Sequence, residues 1–375
     1  MIRRMENLAI TGWGVTSSLG IGVEAFGRGL SGNLPGLRDV SGFAGAHPMP
    51  QACVIPDFDI NTILGSKGTR TMDRTTGMAV ATAGMVLKHR PLEGEAEQTR
   101  AGFVLGTTTG SIKSISDFTR ETWVQDRPYL VNPALFPNTV MNCSAGQCAI
   151  WYKMKGVNAT ISGGLFSGLL AIQYASLIIR RGYADILVTG SVEEYCEQSA
   201  WAYYHTVPAG LRSRHPLGEG CAMFSLERAG AQLPPGRTRF AEILGCRVGL
   251  HFDPTEKDFR KNAKDASECI GAVLADAGVD PSEIFAVCRC QGESRSLNRL
   301  EDAAVALALE GRAPAHDFSV TELTGNTYSA SGSMQLAALL ALHARKREGR
   351  GRPSLVTAVG HDGTVGCLLI KAGGE

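Results

Sequence analysis

Apolar residues along the chain fall into short unbroken runs closed by glycine turns, alternating with longer stretches in which apolar positions recur every three or four residues. Short runs predict strands covered on both faces, and the longer spacing predicts helices. The opening LAITGWGVTSSLG reads as a strand, a glycine turn and a helix beginning near Ile21. A helix is expected from about Asp73 to Lys88, with Met78, Ala81 and Met85 on its apolar stripe. AGFVLGTTTGSI predicts a strand ending in small residues. ATISGGLFSGLLAIQYASLIIRRG predicts a β run, a glycine pair and a long apolar helix starting near Leu165, and YADILVTGSVEE a further strand.

LERAGAQLPPGRTR marks the main boundary, where Pro234, Pro235 and Gly236 separate a strand end from the fresh strand FAEILGCRVG. Beyond it the rhythm restarts. A helix is expected from about Lys257 to Ala277, IFAVCRCQG as a strand, and a helix from Asn298 to Leu309. SASGSMQLAALLALHARK follows as a buried helix, and SLVTAVGHDGTVGCLLIKA as a hairpin turning at GHDGT. The alternation predicts βαβ units and a mainly parallel sheet covered on both faces. Residues 1–233 and 234–375 then form two similar halves of one α/β architecture, although identity between them is too weak to establish duplication from repeats.

Composition narrows the function. With 375 residues, 44% hydrophobic, 19% charged and 45 glycines, the chain fits a turn-dense α/β protein with a large core. Thirty-seven basic against 36 acidic side chains leave a net charge of +1, so no global field draws nucleic acid or an anionic membrane. The ten cysteines lack a short-spaced framework and no leader pattern opens the chain, which points to a reducing cytoplasm. The longest apolar stretch, Leu165 to Ile179, is interrupted by Ser167, Gln173 and Ser176 and reads as a buried helix rather than a membrane span. Cys288 and Cys290 form a lone C-x-C, which suits core thiols and no metal. Gly12 and Gly14 begin a dinucleotide fingerprint, but Ser17 stands where its third glycine belongs, so a structural turn is expected.

The order of these segments resembles the β-ketoacyl synthases of fatty acid and polyketide synthesis, and it does so across nearly the whole chain. AITGWGVTSSLG resembles that family's first strand and turn, VLGTTTGSI its second glycine-rich strand end, and FPNTVMNCSAG its dimer-contact segment. ISGGLFSGLLAIQYASLIIRRGYADILVTGSVEE resembles its nucleophile elbow, buried helix and central strand. HPLGEGCAMFSLERA is similar to the end of its first half, and TGNTYSASGSMQLAALLAL to its late buried helix. The resemblance implies a thiolase-like fold, two similar α/β halves in a five-layered αβαβα architecture, and no cofactor.

Family enzymes make a carbon–carbon bond by decarboxylative condensation with a cysteine at the start of the buried helix and two histidines. Helix-end N–H groups favour the thiolate and hold the thioester oxyanion, and the histidines stabilise the enolate left by carbon dioxide. Matched to that pattern, the cysteine position is Leu165, the first histidine Gln291 and the second Asn326, and a family lysine falls near Thr321. Glutamine hydrogen-bonds but does not titrate. Glu293 and Arg295 replace threonines that contact pantetheine, which argues against a carrier-protein arm entering this subunit's own site. Ser162 and Ser167 flank the elbow outside any G-x-S-x-G motif and are expected to pack and start the helix. A divergent thioester hydrolase or acyltransferase using one of these serines is the alternative. Cys143 and Cys148 suit packing, and His361 suits turn hydrogen bonding.

A copy that keeps the fold and lacks the cysteine resembles the chain-length factor of type II polyketide systems. Such a subunit pairs with an active ketosynthase paralogue as a pseudo-symmetric heterodimer, reaches acyl carrier protein mainly through that partner, and supplies the far end of the acyl tunnel. The resemblance places Thr109, Ile112, Ile115 and Ser116 along the tunnel, on the helix after GTTTG, and Val140, Met141 and Cys143 at the dimer contact. An ordinary amphipathic helix explains the same spacing. Arg345, Lys346, Arg347, Arg350 and Arg352 form a basic run that reads as a solvated surface.

Overall fold

The structure, a computed structural model, describes residues 6–43, 45–231, 236–292 and 294–373. The boundary expected at residues 233 and 234 lies outside the described residues, as does Glu293. The strands, in chain order, are β1 (Leu8–Ser17), β2 (Gly20–Ile21), β3 (Arg38–Asp39), β4 (Gln51–Ala52), β5 (Ala101–Gly106), β6 (Asn158–Ile161), β7 (Ile186–Glu193), β8 (Gly220–Arg228), β9 (Ala241–Leu250), β10 (Ala286–Arg289), β11 (His316–Ser319), β12 (Pro353–Val359) and β13 (Thr364–Ala372). β3 and β4 pair with each other. All the others join one sheet in the order β11-β10-β12-β13-β9-β1-β8-β7-β5-β6, with β2 on β1.

The sheet is mixed, which corrects the expectation of a mainly parallel one. β5 runs parallel to β6 and β7, and β10 to β11 and β12. β1, β8, β9 and β13 run antiparallel to their neighbours. Alternating strands and helices in a sequence do not disclose return strands such as β13, which follows β12 through a tight turn and reverses the chain. β9 meets β1 over three residue pairs, Leu8 with Ile243, Ala9 with Glu242 and Ile10 with Ala241. Outward from that junction both flanks repeat one series of pairings: antiparallel, antiparallel, parallel, parallel.

Side-chain alternation along the strands sorts the interior into layers. On β8, Ala222, Phe224 and Leu226 face a central core, while Cys221 and Met223 face an outer one under helices Arg74–His89 and Cys143–Trp151. On β13, Leu368 and Ile370 face the same central core, while Val365, Cys367 and Leu369 face helices Phe259–Ala277 and Arg295–Ala308. Helices Ser167–Arg180 and Ser331–Arg345 fill the middle, giving the five-layered αβαβα arrangement. Twelve of the fifteen residues of Ser331–Arg345 are buried, as a helix enclosed on all sides requires.

Helix boundaries moved for local reasons. The helix expected at Ile21 starts at Val23, because Ile21 pairs with Thr16 in a short hairpin. Asp73 and Asp258 are N-caps, their carboxylates accepting backbone N–H groups, so the helices begin at Arg74 and Phe259. The helix expected at Asn298 starts three residues earlier, at Arg295. Among the described residues no helix is long and apolar enough to cross a membrane.

Candidate functional site

The elbow is built where β6 ends. Ser162, Gly163 and Gly164 turn the chain, and Gly164 has φ 55°, a left-handed conformation that suits glycine. A 3-10 turn over Gly164–Phe166 leads into helix Ser167–Arg180. The hydroxyl of Ser167 locks the turn, accepting from the Gly163 N–H at 3.0 Å and donating toward the Gly164 carbonyl at 2.7 Å and the Thr107 carbonyl at 3.1 Å. Behind it, Gly168 lets its helix approach both β7 and the other central helix: a Cβ there would stand 2.6 Å from Ser191 Oγ on the strand and 2.7 Å from Ser333 Oγ on the helix. Leu165 sits on the 3-10 turn, half-buried against the central core. The hairpin turn that follows β12 covers the elbow, with Gly360 close against the Phe166 ring.

Asn326 and Gln291 stand at neighbouring loop ends. The short turn Tyr328–Ala330 packs on the elbow turn. Asn326, 3% exposed, donates its amide N–H to the Gly292 carbonyl at 2.9 Å and accepts the Tyr328 N–H at 3.0 Å. Both ends of its amide therefore serve the backbone. Gln291 has φ 46° and turns its side chain toward helix Arg295–Ala308, where it donates to Asp302 at 3.2 Å. It lines a cavity of about 350 Å³ with Arg214, His215, Arg295 and Glu322. Thr321 donates its hydroxyl to the Cys290 carbonyl. A thiolate, an imidazole and an ammonium are absent from Leu165, Gln291, Asn326 and Thr321, and only hydrogen bonding and apolar contact remain to these positions.

The expected tunnel positions divide. Thr109 is not on the helix: it lies exposed in the turn after β5, and Gly110, at φ 72°, breaks any continuous helical spacing from it. Helix Ile112–Val124 begins after Ser111 and carries Ile112, Ile115 and Ser116 half-buried on one side. Lys113, Ser114, Asp117, Phe118 and Glu121 line a chamber of about 500 Å³ on another. Of the expected contact residues, Val140 and Met141 are 42% and 40% exposed, and Phe136 and Ile150 are more so. Cys143 is half-buried at the start of its helix, its thiol 3.5 Å from Asn138 Oδ1. β6, the end strand of the sheet, pairs on one side only among the described residues.

Residues 5–231 match the family described as "Beta-ketoacyl synthase, N-terminal domain". This chain belongs to the β-ketoacyl synthase family. It is 28% identical over 369 residues to the tetracenomycin polyketide synthase ketoacyl synthase alpha subunit of Streptomyces glaucescens, covering 90% of this chain and 85% of that one. It is 25% identical over 350 residues to 3-oxoacyl-acyl-carrier-protein synthase 2 of Coxiella burnetii, covering 88% and 84%. The solved ishigamide ketosynthase/chain length factor superposes with a TM-score of 0.86 at 32% identity, covering 98% of this chain and all of the other.

For a β-ketoacyl synthase, the remaining nucleophile candidates are poorly placed. Nine cysteines (53, 143, 148, 196, 221, 246, 269, 288 and 367) have thiols pushed above their usual range, chiefly by burial, the opposite of what an acyl-accepting thiolate needs. For Cys143 the charge of Asp73 adds to the effect of burial. The hydroxyls of Ser162 and Ser167 have backbone partners, Ser162 donating to the Thr108 carbonyl at 2.8 Å. His361 is exposed in the turn after β12. Five glutamates are buried among the described residues, Glu193, Glu194, Glu219, Glu227 and Glu301, and they escaped the sequence reading because acidic residues usually signal solvent; Glu193, Glu194 and Glu301 bear on the candidate site. Glu193 accepts from Thr108 and Ser329 and ties the β5 turn to the Tyr328 turn. Glu194 lies beneath the helix that follows β5. Glu301 accepts from the N–H groups of Cys290 and Gln291, at 3.0 and 3.1 Å, and from the Thr357 hydroxyl at 2.7 Å. The legible signal for the first two was their place at the end of a wholly buried strand.

Proposed function

We propose that this chain is the noncatalytic, chain-length-determining subunit of a heterodimeric β-ketoacyl-acyl-carrier-protein synthase. The observation that carries the reading is an ordered elbow, its turn fastened by Ser167, with a leucine where the acyl group would attach. Gln291 and Asn326, whose amides are engaged by neighbours, offer no group to polarise a thioester or take a proton. Condensation then takes place on a cysteine of a paralogous ketosynthase, which receives its substrates from acyl carrier protein. The similarity to the ishigamide ketosynthase/chain length factor supports this pairing. The exposed apolar residues Phe136, Val140, Met141 and Ile150 beside the sheet edge at β6 support an obligate interface.

The subunit's contribution is a wall. As the chain on the partner's cysteine grows, each buried methylene contributes roughly 0.8 kcal/mol, until a side chain blocks the way. Ile112, Ile115 and Ser116 are the wall residues, with Thr109 at the preceding turn. The purified chain, given acyl- and malonyl-acyl carrier protein, should neither condense nor acquire an acyl adduct, and adding its ketosynthase should start both on the partner. Intact-mass detection of an acyl group on this chain would overturn the reading.

A further inference from the structure

Helix Ile112–Val124 contains no fully buried residue, so apolar packing alone holds it weakly. Its first turn is held by polar contacts. Ser111, the N-cap, accepts the Ser114 N–H at 3.2 Å and donates its hydroxyl to Glu194 Oε1 at 2.9 Å. The Lys113 N–H points at the same oxygen from 3.3 Å. The Ser114 hydroxyl donates to Asp73 Oδ2 at 2.9 Å, while Asp73 Oδ1 caps helix Arg74–His89 through the Thr76 N–H at 2.8 Å. Glu194 and Ser111 are each 4% exposed, and both carboxylates stand in the wall of the 500 Å³ chamber.

We propose that Glu194 is the positioning residue of this helix, fixing its first turn and, on the reading of the helix as tunnel wall, the bulk that limits product length. A negative charge complements a helix N-terminus, and hydrogen bonds to an ionised acceptor are roughly twice as strong as neutral ones. The anchor is therefore tight when Glu194 is ionised. Burial pushes its carboxyl up to about 7, the charge of Asp73 adds to this, and the neighbouring Thr75 hydroxyl and hydrogen bonds from Ser111 and the Lys113 N–H oppose it. Of the other charged groups around it, Arg74 is held by Glu219 in a two-pronged pair, and the Lys113 ammonium pairs with Asp117. On its own segment the Cys196 thiol, pushed up to about 11, stays neutral. When the turn opens while Glu194 stays buried on its own segment, the Ser111 and Lys113 hydrogen bonds that hold its carboxyl down are lost, so the open form binds the proton more tightly and protonation near neutrality loosens the turn.

Amide hydrogen exchange on the full-length chain, alone and with its ketosynthase, tests this at residues 112–116 after correction for the intrinsic effect of pH. Protection in the wild type should fall about tenfold from pH 8 to pH 6, the equivalent of one hydrogen bond, and should stay level in Glu194→Gln. Ser111→Ala leaves the buried carboxyl in place and should lose about the same factor at pH 8. Protection that ignores pH in the wild type, or follows it equally in Glu194→Gln, overturns the proposal. Product length from the heterodimer is the second readout. Lengths that broaden as protection falls support the link to chain length. Lengths that stay fixed while protection falls overturn that link, and the tunnel-wall reading with it, leaving the anchor standing.

Discussion

Replacing Glu301 with glutamine removes a buried carboxylate on which the Cys290–Gln291 turn rests, and the consequence is a change in how stability depends on pH. Glu301 is 2% exposed, and burial pushes its carboxyl up from an ordinary 4.5 to about 7, against hydrogen bonds from Thr357 and the Gln291 and Cys290 N–H groups and the nearby charge of Arg289. Between those two values the folded chain holds a proton that the unfolded chain has released. Stability from this group is therefore fully present below about pH 4.5 and is lost as pH rises toward 7. At about 1.36 kcal/mol per unit, the loss between pH 5 and pH 8 comes to roughly 2–3 kcal/mol, after allowing for partial ionisation at both ends. Glutamine does not titrate, so its variant lacks this slope, while every other group contributes alike to both proteins. Urea unfolding at pH 5, 6, 7 and 8 reads the difference directly: the stability of the wild type minus that of Glu301→Gln should fall by about 2–3 kcal/mol across the series. A difference that stays constant, or rises with pH, would refute the reasoning and mean that the Glu301 carboxylate is ionised throughout.

Three further outcomes follow from the same geometry. Leu165→Cys restores a thiol at the elbow without a base at Gln291 or Asn326; with an acyl-carrier-protein substrate it should give at most an acyl-enzyme by mass and no condensation product, and condensation from this single change would contradict the proposed role. Ser116→Trp should shorten the heterodimer's products by at least one extension unit, read by chromatography and mass, whereas unchanged lengths would remove this helix from the tunnel. Met141→Asp places a charge on the exposed apolar strip and should weaken association with the ketosynthase about tenfold or more by titration, with the thermal midpoint of the isolated chain nearly unchanged.

Much of the architecture was legible because strands covered on both faces leave unbroken apolar runs, and β5, β7 and β13 all stand where such runs fall, while β9, only partly buried, was marked by the break before it. The buried helix Ser331–Arg345 and the hairpin at Gly360–Gly363 were equally plain. Sheet direction was not, since an apolar run reads the same whichever way its neighbour points. Thr109 was misplaced for a comparable reason: spacing alone carries a helix back through Gly110, whereas the backbone there turns left-handed. In the candidate site, the side chains at Leu165, Gln291 and Asn326 could be read, but what they touch could not. That Gln291 reaches for Asp302 and Asn326 for Gly292 depends on loops that meet only in the folded chain.

On the proposed reading, the elbow keeps its shape without a nucleophile because its backbone is held by groups that take no part in acyl chemistry. Ser167 fastens the turn, Gly168 admits the neighbouring helix, and Phe166 packs under Gly360; none of these contacts involves the side chain at position 165. A catalytic thiol at a helix start must stay accessible and contributes little packing, whereas Leu165 is half-buried against the central core. Exchanging a thiol for a larger hydrocarbon at such a place adds apolar burial worth on the order of 1 kcal/mol. On that reading a leucine here carries a small gain in stability over a thiol, and Leu165→Cys should lower the midpoint of urea unfolding slightly while leaving its slope unchanged. A slope that changed with this substitution would mean that the side chain at position 165 helps to hold the elbow after all.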